Sequence, residues 1–183
     1  MTIKTRPFFI TRLLAIVASS LLAATTLNTS AFANEADEEA RVNANLENFD
    51  DLDFNVFTGQ KWDELHRSHA EDIIVHWPDG RTTEGIDVHI DDLKTMFVYA
   101  PDTRIKVHPI RIGSGNLTSV MGILEGTFTE PMPTGDGNFI PPTGKAFKIS
   151  MVTIGRWNDD GTMDEEWLFW DNLTFMKQIG LAD

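Results

Sequence analysis

Four strand-like segments, separated by turn-forming residues, dominate the second half of the chain. They cover residues 104–112, 118–129, 145–157 and 163–171, and each is rich in β-branched, aromatic or alternating apolar side chains. The segments between them are rich in glycine, proline, asparagine and aspartate, which favour tight turns. Short connections of this kind join neighbouring antiparallel strands. The pattern therefore predicts an antiparallel sheet.

Helical periodicity precedes these strands. Residues 35–58, 62–69 and 86–99 place apolar side chains at helical separations, and residues 173–179 do so again at the end of the chain. A short apolar run at residues 72–77 predicts one earlier strand. Helices followed by a run of strands predict an α+β domain, in which a curved antiparallel sheet is covered on one face by helices. A sheet of this kind can enclose a pocket.

The first 33 residues have the composition of a secretory signal peptide. Three basic residues precede an apolar run over residues 13–27, and Ala31-Phe32-Ala33 has the small-x-small form of a cleavage site. The apolar run is too short and too interrupted for a good membrane span. We therefore expect a periplasmic or secreted protein with one domain over residues 34–183 and no membrane insertion after cleavage.

Charge and composition exclude several classes of function. The chain has a net charge of −13, and removal of residues 1–33 takes away three cations and no acid, which leaves about −16. Such a chain repels phosphate backbones, so we expect no nucleic-acid partner. Because the sequence contains no cysteine, it offers neither disulfides nor thiol chemistry. No serine lies in a nucleophile-elbow motif.

Asp171 is the leading candidate for a catalytic residue. Alternation along a strand over residues 164–171 places Glu165, Trp167, Phe169 and Asp171 on one face and Glu166, Leu168 and Trp170 on the other. A carboxyl group against apolar walls has a raised pKa, which prepares it for general acid/base work near neutral pH. The alternative is that Asp171 caps the helix that follows it.

The histidines do not predict a metal site. His66 and His69 are three residues apart and would share a helix face, but no convincing third ligand accompanies them. Surface residues on a short helix are the alternative interpretation. His89 and His108 are isolated in the sequence.

Four segments of the chain form a recognisable series. They are HAEDIIVHWPDGRTTEG at residues 69–85, the helix after it, PPTGKAF at residues 141–147, and a strand ending EEWLFWD that is followed by QIGL at residues 178–181. In order and spacing this series resembles the SnoaL-like polyketide cyclase/ester cyclase group of the nuclear-transport-factor-2-like superfamily. The resemblance implies a cone-shaped α+β barrel with an apolar cavity, often dimeric through its sheet.

The resemblance also implies a chemistry and a site. The chemistry is aldol ring closure without metal or cofactor, with an aspartate between the last strand and the terminal helix as general acid/base, here Asp171. His76 matches a position near the cavity and would hydrogen-bond a substrate oxygen; an edge histidine is the alternative. The side chains predicted to contact the substrate, each with core packing as the alternative, are Trp77, Phe97, Met121, Phe147, Met151, Trp167 and Phe169.

Two functions follow. The first is an exported, cofactor-free enzyme that performs aldol cyclisation, isomerisation or hydration on a small apolar carbonyl compound. The second is a non-catalytic exported binding module for a hydrophobic small molecule or a protein partner. In both cases we expect a homodimer, an apolar ligand, no cofactor and no metal.

Overall fold

The computed structural model describes residues 34–183, so the predicted signal peptide lies outside the described residues. The chain divides into two units, Met1–Glu39 and Ala40–Asp183. In the first unit, the described residues 34–39 are helical and exposed. The second unit contains every other described element. In the described part of the chain, no helix is both long enough and apolar enough to cross a membrane.

The second unit contains four helical segments: two before the first strand, one between the second and third strands, and one after the last strand. Helix α1 covers residues 40–51 and continues into a π-helical turn at Leu52–Phe57. A 3₁₀ helix follows at Trp62–Arg67, α2 covers Ile86–Tyr99, and α3 covers Asn172–Gln178. The four predicted helical segments are present, but the segment predicted over residues 62–69 ends at Arg67, and His69 begins the first strand, His69–His76, instead of sharing a helix face with His66. Periodicity gave no indication of the π-helical turn. Such turns often occur at functional sites, because they change the direction of nearby side chains.

Nine strands are present among the described residues. They are β1 His69–His76, β2 Thr82–Glu84, β3 Arg104–Ile105, β4 Ile110–Ser114, β5 Leu117–Thr127, β6 Met132–Pro133, β7 Phe139–Ile140, β8 Ala146–Trp157 and β9 Met163–Trp170. The predicted single strand over residues 104–112 is wrong, because two strands occupy this range. Pro109 lies between them and has no backbone N–H to donate to a ladder.

The strands form one curved, unclosed sheet with the order β2-β1-β9-β8-β5-β3, and β4 also pairs with β5. β6 and β7 form a separate two-stranded ribbon. The predicted α+β class and curved sheet are confirmed. The sheet is not purely antiparallel, since β1 and β9 run parallel. These two strands are distant in sequence, so no hairpin forces them to be antiparallel.

Two clusters of apolar side chains form the core. The first contains Leu46, Phe49, Leu52, Ile73, Val75, Trp157 and Leu168 among others, and it joins α1 to β1, β8 and β9. The second contains Phe57, Phe97, Ile105, Leu124, Phe128, Phe147, Phe175 and Ile179 among others, and it joins α2 and α3 to β5 and β8. Leu93 and Trp170 pack against both clusters.

Candidate functional site

A largely apolar cavity receives side chains from both core clusters. It contains about 630 Å³ of empty space, part of which is open to solvent. Its apolar lining consists of Leu52, Phe57, Trp77, Leu93, Met96, Ile105, Leu124, Met151, Leu168 and Trp170. Its polar lining consists of Asp53, His69, His89, Asp92, Thr153 and Glu166.

Of the predicted substrate contacts, Trp77 and Met151 line this cavity. Phe97 and Phe147 are buried in the second core cluster instead. The ring of Phe97 packs against that of Phe57 at 5.1 Å, and the ring of Phe147 packs against that of Phe175 at 5.0 Å. For these two residues the alternative interpretation, core packing, describes what the structure shows.

The other three predicted contacts lie away from the cavity. Phe169 is 51% exposed, and Met121 is not among the cavity residues. Trp167 stacks on His76, with ring centroids 5.2 Å apart and an interplanar angle of 5°. The alternation predicted for β9 is present, but the cavity lies on the face of Glu166, Leu168 and Trp170. The sequence interpretation assigned the cavity to the opposite face.

The environment predicted for Asp171 is wrong. Asp171 is exposed and is the N-cap of α3: its Oδ1 accepts a hydrogen bond from the backbone N–H of Thr174 at 3.0 Å. Its Oδ2 accepts a second hydrogen bond from the Thr174 hydroxyl at 2.6 Å. Hydrogen bonds from the Thr174 hydroxyl and amide lower the pKa of Asp171, whereas an apolar pocket would have raised it. The alternative role as a helix cap is therefore the observed one.

His76 does not lie in the cavity either. Its Nε2 is 2.8 Å from Glu165 Oε1, and its Nδ1 is 3.3 Å from the hydroxyl of Thr82. The second oxygen of Glu165 pairs with Arg156 at 2.7 Å. His76 is therefore part of a polar network on the opposite face of β9, which matches the edge-histidine alternative.

A hydrogen-bonded chain of three titratable residues leads into the cavity. Asp53 lies in the π-helical turn, lines the cavity and is 6% exposed. Its Oδ2 is 2.8 Å from His108 Nε2, and His108 Nδ1 is 2.7 Å from Asp50 Oδ1. Arg111 pairs with the second oxygen of Asp50. The arrangement runs from the cavity through a buried imidazole to a half-exposed ion pair.

The geometry of this chain requires an extra proton. A neutral imidazole has one N–H, but both nitrogens of His108 face a carboxylate oxygen at hydrogen-bond distance. Either His108 is an imidazolium or one of the two carboxyl groups is protonated. Burial opposes the charge of His108, but hydrogen bonds and attraction from Asp53 and Asp50 outweigh it and raise the pKa of His108. Burial raises the pKa of Asp53 despite the hydrogen bond from His108.

A second polar cluster, His69, His89 and Glu166, lies in the same cavity. All three are buried, with exposed fractions of 2%, 2% and 4%. Glu166 Oε2 lies 3.3 Å from His89 Nε2 and 3.9 Å from His69 Nε2. Burial opposes the charge of Glu166, but the two imidazoles outweigh it and lower its pKa. Burial lowers the pKa of His89 to about 4, so His89 is neutral near pH 7.

The sequence interpretation assigned to the site none of the titratable residues of the cavity wall, Asp53, His69, His89, Asp92 and Glu166, nor His108, which pairs with Asp53. A signal for two of them was available. Glu166 shares a strand face with Leu168 and Trp170, and His89 lies between Ile86 and Leu93 on the apolar face of α2. A titratable residue on a buried face needs a partner, which makes it a candidate site residue. The His108 contacts could not be found this way, because they join residues more than 50 positions apart.

The fold and cavity define a class. A mixed sheet curved around an apolar cavity and covered by helices is the cone of the nuclear-transport-factor-2-like proteins. The structure is similar to that of an NTF2-like protein of unknown function from Burkholderia pseudomallei. The TM-score is 0.60 at 17% identity, with 75% of this chain and 98% of that chain covered.

Within this class, the chain belongs to the SnoaL-like polyketide cyclase family, whose family model matches residues 52–179. A candidate SnoaL-like polyketide cyclase from Jannaschia sp. CCS1 is similar in fold, with a TM-score of 0.66, 22% identity, and coverage of 77% of this chain and 94% of that chain. IdmH, a candidate polyketide cyclase from Streptomyces antibioticus, gives a TM-score of 0.63 at 21% identity, with 74% and 98% covered. No curated protein matches the sequence.

Proposed function

We propose that the protein catalyses acid/base chemistry on a small apolar carbonyl compound, with Asp53 as the group that transfers the proton. Aldol cyclisation, isomerisation and hydration are the reactions in question. The observation that carries the proposal is the position of Asp53: a buried carboxyl at the wall of an apolar cavity, hydrogen-bonded from behind by His108. Membership of the SnoaL-like family supports the reaction class.

The environment of Asp53 suits a group that both removes and returns a proton. Its pKa lies above the ordinary value of 3.8 because of burial, which brings the carboxyl closer to the pH at which it works. The hydrogen bond between His108 Nε2 and Asp53 Oδ2 fixes the orientation of the carboxyl group and leaves Oδ1 as its second oxygen. His108 is thus a positioning residue, since it acts through Asp53.

The cavity wall selects an apolar substrate. Most of its lining side chains are aliphatic or aromatic, and Trp77 and Trp170 supply broad flat surfaces. Burying such a substrate is favoured by about 25 cal/mol for each Å² of apolar surface removed from water. The polar groups of the cavity are few, so we expect them to interact with the carbonyl oxygens and the acidic carbon.

For an aldol cyclisation, the proton balance closes on Asp53 alone. The ionised carboxylate removes a proton from the carbon next to a carbonyl group and becomes a carboxylic acid. The resulting enolate carbon forms a bond with a second carbonyl carbon of the same molecule, whose oxygen becomes an alkoxide. Asp53 then returns the proton to that alkoxide. The cavity contributes by holding the two carbonyl groups within reach of each other.

The experiment that tests this proposal is a screen of small di- and tricarbonyl compounds with the parent protein, Asp53→Asn and Asp171→Asn. We expect turnover by the parent, a loss of at least about 100-fold in kcat with Asp53→Asn, and near-parental kcat with Asp171→Asn. A large loss with Asp171→Asn together with full activity of Asp53→Asn would contradict the assignment of Asp53.

A non-catalytic binding module is the second candidate function, and the apolar cavity wall is the observation that favours it. In that case an apolar ligand would bind without being converted. Trp77 and Trp170 line the cavity, whereas Trp167 lies on the opposite face. The variant Trp167→Phe keeps both cavity tryptophans, so ligand binding should change its tryptophan fluorescence. The double variant Trp77→Phe/Trp170→Phe lacks them, so its fluorescence should change much less. Binding to the parent with no product from any carbonyl compound would favour the module.

Export and dimerisation are further parts of the proposal. The signal-like composition of residues 1–33 supports export to the periplasm or beyond. Exposed apolar side chains on β4 and at the start of β5 support a dimer formed through the sheet: Ile110, Ile112 and Leu117 are 53%, 62% and 44% exposed. Edge strands with exposed apolar side chains are unfavourable in a free monomer.

A further inference from the structure

Three polar atoms of one buried cluster have no hydrogen-bond partner among the described residues. They are His69 Nε2, His89 Nδ1 and Glu166 Oε2. Buried polar atoms of folded proteins are nearly always paired, with protein groups, water or an ion. Two of these atoms, His69 Nε2 and Glu166 Oε2, lie 3.9 Å apart, and His89 Nε2 lies 3.3 Å from the same Glu166 oxygen, so this part of the cluster is short of a partner that the described residues do not supply.

The orientation of His69 is fixed by the residue before it. The hydroxyl of Ser68 has one hydrogen, which it donates to the carbonyl oxygen of Leu65 at 3.1 Å. Ser68 Oγ is also 2.9 Å from His69 Nδ1, so at this contact Ser68 accepts and Nδ1 donates. When His69 is neutral, its Nε2 carries a lone pair. That lone pair is on the side of Glu166, whose carboxylate oxygens are also acceptors.

The three residues are arranged as metal ligands are. Each residue offers one possible ligand atom, and these three atoms all lie within 4.8 Å of one another. In a tetrahedral zinc site with bonds of about 2.0–2.1 Å, neighbouring ligand atoms are about 3.3 Å apart. The distance between His89 Nε2 and Glu166 Oε2 is already 3.3 Å. The distance of 3.9 Å between His69 Nε2 and the same oxygen requires only a small side-chain movement.

We propose that His69, His89 and Glu166 bind one divalent first-row transition-metal ion, with zinc as the best match. Two imidazoles and one carboxylate are a known donor set for catalytic zinc, in which a fourth position stays open. Magnesium and calcium prefer oxygen ligands alone, so two nitrogen ligands disfavour them. The tie between His69 Nδ1 and Ser68 is the kind of outer hydrogen bond that orients a metal-bound histidine.

The proposed ion has direct access to the cavity. His69, His89 and Glu166 all belong to the cavity wall, so an open position on the ion would be reachable by a bound molecule with an oxygen atom. This goes beyond the proposed proton transfer by Asp53, which does not require an ion. It also departs from the metal-free site that the family resemblance implies.

Zinc titration of the untagged protein, after removal of metal with a chelator, tests the proposal. By calorimetry and elemental analysis we expect one zinc ion per chain. Cobalt(II) is the second probe, because its visible absorption reports nitrogen ligands and a low coordination number. We expect His69→Gln and Glu166→Gln each to weaken zinc binding by at least about 100-fold, and Ser68→Ala to weaken it by about 10–100-fold.

Matched controls come from the same chain. His66 and Glu165 are each close in sequence to a proposed ligand but lie outside the cluster, so His66→Gln and Glu165→Gln should bind zinc as the parent does. Circular dichroism checks that each variant is folded. If a ligand variant does not fold, the zinc affinity of Ser68→Ala, which keeps all three ligands, tests the proposal instead. Failure of the parent to bind zinc at one ion per chain overturns the proposal, as does equal weakening by the control variants. The assay uses no substrate, so its result is independent of the proposed reaction.

Discussion

At the scale of single residues, two carboxylates near the end of the chain have opposite environments, although they are only five positions apart in the sequence. Asp171 is exposed and bonded to the start of α3, while Glu166 is buried beside two histidines. The aromatic residues around Asp171 in the sequence suggested an apolar pocket for it. In the structure they belong to both faces of β9, and hydrogen bonds rather than apolar contacts determine the pKa of Asp171.

The helix-cap role of Asp171 predicts a change in stability. Asp171→Ala removes both hydrogen bonds to Thr174, so we expect the thermal midpoint to fall by about 2–4 °C. Asp171→Asn keeps an oxygen that can accept from the Thr174 amide, and its midpoint should fall much less. Differential scanning calorimetry of the three proteins measures both shifts. Equal midpoints for the parent and Asp171→Ala would contradict the role of Asp171 as a cap.

His108 predicts how stability depends on pH. Asp50 and Asp53 face its two nitrogens, Arg111 pairs with Asp50, and the ring of Phe54 packs against it at 4.4 Å. The pKa of His108 is raised in the folded state, so its stabilising effect is complete below about 6.5, the ordinary value, and is lost as the pH rises through the folded value. The pKa of Asp53 is shifted in the same direction.

We therefore expect the free energy of unfolding of the parent to fall as the pH increases above about 6.5. His108→Gln, which has no titrating imidazole, should show a shallower fall over the same range. Urea unfolding at a series of pH values from 6 to about 9 gives both slopes. Identical slopes in the two proteins would show that His108 has no raised pKa.

At the scale of elements, the position of each helix and the main strands could be predicted from the sequence, because periodicity and turn residues are local signals. Helix α2, predicted over residues 86–99, has those bounds in the structure. The alternation of β9 was also predictable. The buried face of β9 was not, because both faces carry aromatic residues and only the packing of α1 and α2 distinguishes them. The parallel pairing of β1 with β9 has no local signal at all.

The two faces of β9 predict different effects for neighbouring substitutions. Leu168 is 5% exposed and lines the cavity, whereas Phe169 is 51% exposed. We expect Leu168→Ala to lower the free energy of unfolding by about 2–5 kcal/mol, as for other buried leucines. Phe169→Ala should lower it by about 1 kcal/mol or less. Chemical denaturation measures both, and a larger loss from Phe169→Ala would mean that the assigned faces are wrong.

At the scale of the whole molecule, the α+β class, the curved sheet and the family could be predicted, because they depend on the order of elements and on motifs spread along the chain. The titratable groups of the cavity could not. Asp53 comes from the π-helical turn and His108 from the connection between β3 and β4, and only the completed fold brings them together. The sequence predicted an apolar cavity, but it indicated Asp171 as the acid/base group of that cavity.

The assembly of the whole molecule gives a further prediction. If the exposed apolar side chains of β4 are covered in a dimer, light scattering after size-exclusion chromatography should give twice the chain mass. Ile112→Glu places a charge at the most exposed of these positions and should give the monomer mass. Glu84→Gln, on the opposite edge strand β2, is the control and should leave the mass unchanged. A monomer mass for the parent protein would contradict a dimer of this kind.

The most direct test of the central claim, that Asp53 rather than Asp171 is the acid/base group of the cavity, is a carbon-13 NMR titration of the aspartate carboxyl groups in the folded protein. Asp53→Asn and Asp171→Asn assign the two signals. The account predicts that Asp53 titrates above its ordinary value of 3.8 and that Asp171 titrates below it. An Asp171 that titrates higher than Asp53 would contradict the account and return the catalytic role to the end of β9.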